Sequence, residues 1–292
     1  MKYPARALLG YMPKEEAVQL LAGGPIREDD IPKFEDVWRR YAKAAEARGV
    51  FESVEPLVAP PTELIAEMEA FANRPDVATL MQPHDWAVAF VDISREVLTY
   101  QRLVISRDIE ERIGNLSQQD YKSLLAICLP PPQASQMLGA FDPAQMAFTA
   151  TSVNPNLRIA GFEVASVSNP QSSQPQQLLG FRISMGSTFV QIVEYKGRWM
   201  VRDGYHRLYG LLTRGITQVP CVVIRAKTFE ETGAAQPGFF SFETLFGPYP
   251  PRITDFLNDQ FSVNVEVQAN MRVIRIKAEQ FFVPIHEVGS EQ

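Results

Sequence analysis

The run Asp203-Gly204-Tyr205-His206-Arg207 sets an acid, a glycine, a phenol, an imidazole and a guanidinium side by side. Where such a run joins a strand to a helix, the first N–H groups of the helix and its macrodipole favour an anion. Gly204 lets the backbone approach a ligand closely, and Arg207, one turn into the helix, offers a planar fork to phosphate or carboxylate. His206 adds a donor or a proton shuttle. Asp203 has three open readings: a helix cap, a metal ligand or a general base. The plain alternative is a cap and a turn with a solvent-facing arginine.

The flanking residues supply the elements this chemistry needs. Phe189 to Tyr195 and Arg198 to Arg202 alternate apolar and polar residues around Lys196-Gly197, which predicts a β-hairpin. Leu208, Leu211 and Leu212 then recur at helical spacing until Gly215, which predicts a helix of about three turns. Val219 to Ile224 is a continuous β-branched run that suits a strand buried on both faces.

The DGYHR turn between hairpin and helix, followed by Gly215, Ile216, Val219 and Pro220, resembles the nucleotide-binding motif of the ParB/sulfiredoxin-like superfamily. Val91-Asp92-Ile93 through Tyr100-Gln101-Arg102 resembles, more weakly, the strand and loop that open those domains. The resemblance implies that Gly204, Tyr205, His206 and Arg207 cradle phosphate, with Gln101 and Arg102 near the same ligand. It implies a nucleoside triphosphate, with ATP favoured, and Mg²⁺ held by Asp203. It further implies a phosphotransferase or NTP hydrolase acting on a small-molecule acceptor; phosphoryl transfer then asks for a base, for which Asp203 or an acidic residue folded near it such as Glu194 or Asp92 is a candidate, with His206 as donor or proton shuttle. Sulfiredoxins carry a reactive cysteine where this chain has Tyr205, so sulfinic acid repair by that route is not expected. Partition proteins carry a Glu-Arg-Arg variant of the turn, whereas Tyr-His-Arg is closer to the sulfiredoxin and free serine kinase type. Two other readings stay open: a nucleotide-sensing module without turnover, and a ParB-like nuclease or DNA-associated protein.

Charge bears on that choice. Residues 178 to 228 hold eight cationic and two anionic side chains, a balance of +6 in a chain of net charge −6, which leaves −12 on the remainder. Such segregation draws a small anion while disfavouring a long polyanion, so nucleic acid is an unlikely partner. Cys128 and Cys221 lie inside apolar runs and read as buried, reduced thiols. His84 and His286 read as structural or exposed. The N-terminus lacks an apolar leader pattern and no run approaches the roughly 18 residues of a membrane span, so a cytoplasmic location is expected. Self-association is left open.

The expected architecture is α+β. A helical N-terminal region covers 1–85, with one stripe of Phe34, Val37, Trp38, Tyr41 and Ala45 and another of Leu64, Ile65, Met68 and Phe71. A ParB/sulfiredoxin-like small mixed sheet with helices covers 86–228, with an insertion at about 103–177. Inside it, Ser117 to Asp120 resembles a capping box before a helix over Tyr121 to Leu129, and Ser168 to Gln177 reads as a flexible loop. A C-terminal extension covers 229–292, in which Phe261 to Gln268 and Met271 to Lys277 predict a closing hairpin about Ala269-Asn270.

Overall fold

The computed structural model describes residues 2–105, 113–131, 138–152, 157–167, 176–184, 189–268 and 271–282. In chain order these form β1 (Lys2–Ala7), α1 (Lys14–Ala22), α2 (Ile31–Glu46), β2 (Leu57–Val58), α3 (Thr62–Ala72), α4 (Pro75–Met81), β3 (Asp85–Asp92), β4 (Leu98–Thr99) and β5 (Leu103–Ile105). There follow α5 (Tyr121–Cys128), β6 (Leu138–Asp142), β7 (Ala147–Ser152), β8 (Arg158–Val167), β9 (Gln176–Ser184), β10 (Gln191–Tyr195) and β11 (Arg198–Asp203). The last are α6 (Tyr205–Thr213), β12 (Gln218–Arg225), α7 (Phe242–Phe246), β13 (Val263–Gln268) and β14 (Arg272–Lys277). The class is α+β.

Contacts gather the chain into two compact units, Met1–Gln133 with Thr188–Ala269 and Ala134–Ser187 with Asn270–Gln292. The first holds a mixed six-stranded sheet in the order β2-β3-β12-β10-β11-β4 and a three-stranded sheet β13-β1-β5. β12 runs parallel to β10 and antiparallel to β3, while β4 runs parallel to β11. Six consecutive residues of β12, Val219 to Ile224, are buried, as the unbroken apolar run requires of a strand covered on both faces. Each buried valine or isoleucine among them contributes about 1.5–3 kcal/mol through burial.

The helical stripes reach the core in part: Val37 and Trp38 of α2 pack against it half-buried, and Phe34 is half-buried. Tyr41 and Ala45 of α2 and Leu64, Met68 and Phe71 of α3 are buried, but Ile65 is 41% exposed. The helix α5 is capped by Asp120, whose carboxylate accepts from Ser123 N, and not through Ser117. Gln118 instead accepts from Thr217 N and Gln218 N at 3.1 Å each and fixes the entry to β12.

The 1–85 region is not wholly helical: it opens with β1, which pairs with β5 on one side and β13 on the other. The predicted C-terminal hairpin does not form. β13 pairs antiparallel with β1 in the first unit, and β14 pairs antiparallel with β7 in the second. Alternation marks a strand with one buried face and leaves its partner unspecified, so two adjacent alternating runs need not pair with each other. The second unit holds the sheet β14-β7-β6 and the two-stranded β8-β9. Residues 168–175 of the predicted loop and His286 lie outside the described residues; Gln176 and Gln177 belong to β9. Among the described residues no helix is long and apolar enough to cross a membrane.

Candidate functional site

The hairpin that delivers the DGYHR run is tight. Lys196 (φ 52°) and Gly197 (φ 75°) both adopt left-handed backbone, the conformation of a two-residue turn that matches strand twist. Glu194 accepts from Gly197 N at 2.6 Å, so its carboxylate serves the turn. In the register Glu194 faces Trp199, while Asp203 faces Gln191. At about 3.3 Å per residue, the four residues from Trp199 to Asp203 span about 13 Å. Glu194 is therefore not brought to Asp203, and a catalytic pairing of the two is not made.

At the other end of β11 the chain reverses into α6 through Gly204, with φ 85° and ψ 14°. A Cβ at this position would lie 2.9 Å from Val190 Cγ2 and 3.1 Å from Arg207 Nη2, closer than side chains tolerate. The positive φ and the nearness of Val190 together favour glycine at this turn. Asp203 Oδ1 accepts from Gly204 N at 2.6 Å, which folds the carboxylate over the turn. Leu208 N donates to Gly204 O at 2.9 Å, closing the first helical turn. The N–H groups of Tyr205, His206 and Arg207 precede that bond and point out of the helix, where the macrodipole is positive.

Three side chains surround this start. Tyr205 is half-buried, and burial with the Asp203 carboxylate pushes its phenol up to about 12, so it stays a protonated donor at neutral pH. Its ring lies 4.1 Å, centroid to centroid, from that of His206. Arg207 reaches back to the turn, and its Nη1 donates to Ile127 O at 3.1 Å. That carbonyl belongs to the last turn of α5, so part of the guanidinium fork holds the C-terminal end of a helix as well as facing Gly204. Burial pushes the neighbouring Cys128 thiol up to about 12, which Arg207 partly offsets, and raises Cys221 as well; both cysteines are fully buried and unreactive.

A second cluster lies behind Asp203 and includes residues that sequence reasoning passed over. Tyr100 Oη donates to Arg202 O at 2.7 Å. Arg202 Nη1 donates to Gln191 Oε1 at 3.1 Å, and its Nη2 lies 3.4 Å from His84 Nε2. Burial and the Arg202 charge lower the His84 pKa, so the neutral imidazole is favoured. His84 had no local signal; Tyr100 was flagged only by its place in the Val91 to Arg102 segment. The parallel register of β4 with β11 sets Thr99 beside Val201 and so leads Tyr100 and Gln101 toward Asp203. Gln101 forms a bridge with Phe239. Arg102 is turned elsewhere: Nε and Nη2 donate to Phe239 O at 3.0 and 2.6 Å, and Nη1 pairs with Glu16. A phosphate-binding Arg102 is not what this geometry supplies, because its donors tie the loop to the N-terminal region.

Among the described residues no group of three or more His, Cys, Asp or Glu side chains gathers as a metal site. Comparison of the chain with protein-family models, with curated proteins and with solved structures returned no match.

Proposed function

We propose that the turn 203–207 is an anion cradle for the phosphates of a nucleoside triphosphate, with ATP favoured, in a protein of the ParB/sulfiredoxin-like kind. The observation that carries the reading is the left-handed turn at Gly204, which sets the start of α6 and the positive end of its dipole beside the Arg207 guanidinium. A hairpin, a helix and a strand follow one another around it, as the resemblance implies, and that strand runs parallel to the first strand of the hairpin. Arg207 and the helix start supply positive potential, and Tyr205 supplies a protonated hydroxyl. Asp203 fits Mg²⁺ as one carboxylate to which phosphate oxygens are added, the usual way that ion enters such sites, and Mg²⁺ would neutralise charge on the phosphates. In phosphoryl transfer or hydrolysis Asp203 would orient the acceptor hydroxyl or water and take its proton, with His206 as shuttle.

The register that separates Glu194 from Asp203 favours a second reading, a nucleotide-sensing module without turnover. Thermal denaturation with ATP, CTP, GTP and UTP, with and without Mg²⁺, tests the cradle. Nucleotide at 100 times its Kd stabilises by about 2.7 kcal/mol. The expected result is a selective shift that Arg207→Lys, which keeps charge and reach but loses the planar fork, largely removes. Release or transfer of phosphate in the same samples separates the enzyme from the sensor. No shift with any nucleotide sinks both.

A further inference from the structure

The hairpin that carries Asp203 is irregular at the end next to α6. Ile192 faces Val201 and Gln191 faces Asp203, so one step along β10 is met by two along β11, and Arg202 is the extra residue of a β-bulge. Regular pairing would have set Arg202 opposite Gln191 and carried Asp203 on to Val190, on the other face of the sheet. The bulge brings Asp203 to the face of Gln191 instead, since directly opposed residues share a face. Arg202 serves that side as well, because its Nη1 donates to Gln191 Oε1 at 3.1 Å. Bulges beside functional sites re-aim a side chain in this way.

The carbonyl of the extra residue is held by a buried phenol. The parallel ladder of β4 with β11 runs to Thr99 and Val201. Past it Tyr100 meets β11 through its side chain, with Oη donating to Arg202 O at 2.7 Å. That carbonyl belongs to the planar peptide joining Arg202 to Asp203, so its direction fixes the plane from which the Asp203 side chain departs. Tyr100 is itself held: it is 1% exposed, its own carbonyl accepts from Phe240 N at 2.9 Å, and its ring lies 4.9 Å from that of Phe239. Burial pushes its phenol far above the ordinary value, which keeps the hydroxyl a donor at neutral pH.

We propose that Tyr100 is a positioning residue for Asp203: its hydroxyl fixes the bulge at Arg202, and the bulge sets the Asp203 carboxylate over the start of α6. The role rests on the reading of Asp203 as the carboxylate of the cradle, the one through which Mg²⁺ would be held. Without the hydroxyl the peptide between Arg202 and Asp203 is released. The bond from Gly204 N to Asp203 Oδ1, 2.6 Å long, then loosens, and a carboxylate that wanders holds a metal poorly. Phosphate held by Arg207 and the helix start does not depend on Asp203. Tyr100 therefore governs the metal-dependent part of nucleotide binding and spares the metal-independent part.

Tyr100→Phe in the full chain tests this, since it removes one oxygen and keeps the ring against Phe239. In the ligand-free protein the Gly204 amide proton, followed by NMR, reports the bond to Asp203. Tyr100→Phe is expected to move it upfield and to speed its exchange with solvent at least about tenfold, while the Leu208 amide, bonded to Gly204 O, keeps its wild-type rate. In thermal denaturation with ATP, the variant is expected to lose about 10–100-fold in Mg²⁺-dependent affinity and to keep its Mg²⁺-free affinity. A Gly204 amide unchanged by Tyr100→Phe overturns the positioning role. So does an equal fall in affinity with and without Mg²⁺, the mark of a fold loosened as a whole. If wild type binds no nucleotide, the cradle fails, and the Gly204 amide still decides whether Tyr100 positions Asp203.

Discussion

An alanine at position 204 would have to hold φ near 85° and also set its Cβ 2.9 Å from Val190 Cγ2. At Gly215 the same change meets φ 73° with nothing within 4 Å. The pair separates backbone strain from steric overlap: Gly215→Ala is expected to cost about 1 kcal/mol and Gly204→Ala about 2–4 kcal/mol in urea denaturation. Equal costs would mean that Val190 yields and the turn is looser than described. At this scale the sequence was informative where residues act through the backbone they sit on: a glycine between strand and helix announces its own conformation. It was uninformative where a long side chain chooses a distant carbonyl. Nothing near Arg102 or Arg207 in the chain points to Phe239 O or Ile127 O, because those bonds depend on which loops the sheet brings alongside.

Elements are joined by a buried charge network that no local pattern announces. Asp255 is fully buried in the short 3-10 helix Ile253–Leu257. It accepts from Tyr11 Oη at 2.9 Å, from Arg48 Nη1 at 2.8 Å and from Arg252 N at 2.9 Å, and Arg252 pairs with Glu96. The segment after β1, the end of α2 and the C-terminal segment before β13 are thereby tied into one core. Burial and the Asp255 charge raise the Tyr11 phenol far above its ordinary value, and Asp255 raises the Arg48 guanidinium against its desolvation. Asp255→Ala leaves the Arg48 charge poorly compensated, and a loss of about 3–5 kcal/mol in urea-unfolding free energy is expected. A loss below about 1 kcal/mol would show that water already screens the pair. The same long-range pairing explains the missing hairpin: β13 and β14 each read as half-buried strands, and each went to a partner more than a hundred residues away.

For the molecule as a whole, Val190 N donates to Cys128 O at 2.8 Å, so the chain returns to the end of α5 after the residues of the second unit. Replacing 134–187 by a short Gly/Ser linker and ending the chain after residue 269 should leave the first unit able to unfold in one cooperative transition, followed by calorimetry. A broad, non-cooperative melt would show that the first unit depends on the second. The hairpin with its two-residue turn and the glycine-broken entry to α6 were determined by the sequence itself, because each rests on contacts between residues a few positions apart, and the unbroken apolar run of Val219 to Ile224 marked a strand to be covered on both faces. Tertiary structure alone decided that Glu194 stands away from Asp203, that Arg102 faces Glu16, that His84 joins Arg202, and that the two C-terminal strands part company. Register and strand partner are properties of a whole sheet, and the free energy that selects them is summed over residues far apart in the chain.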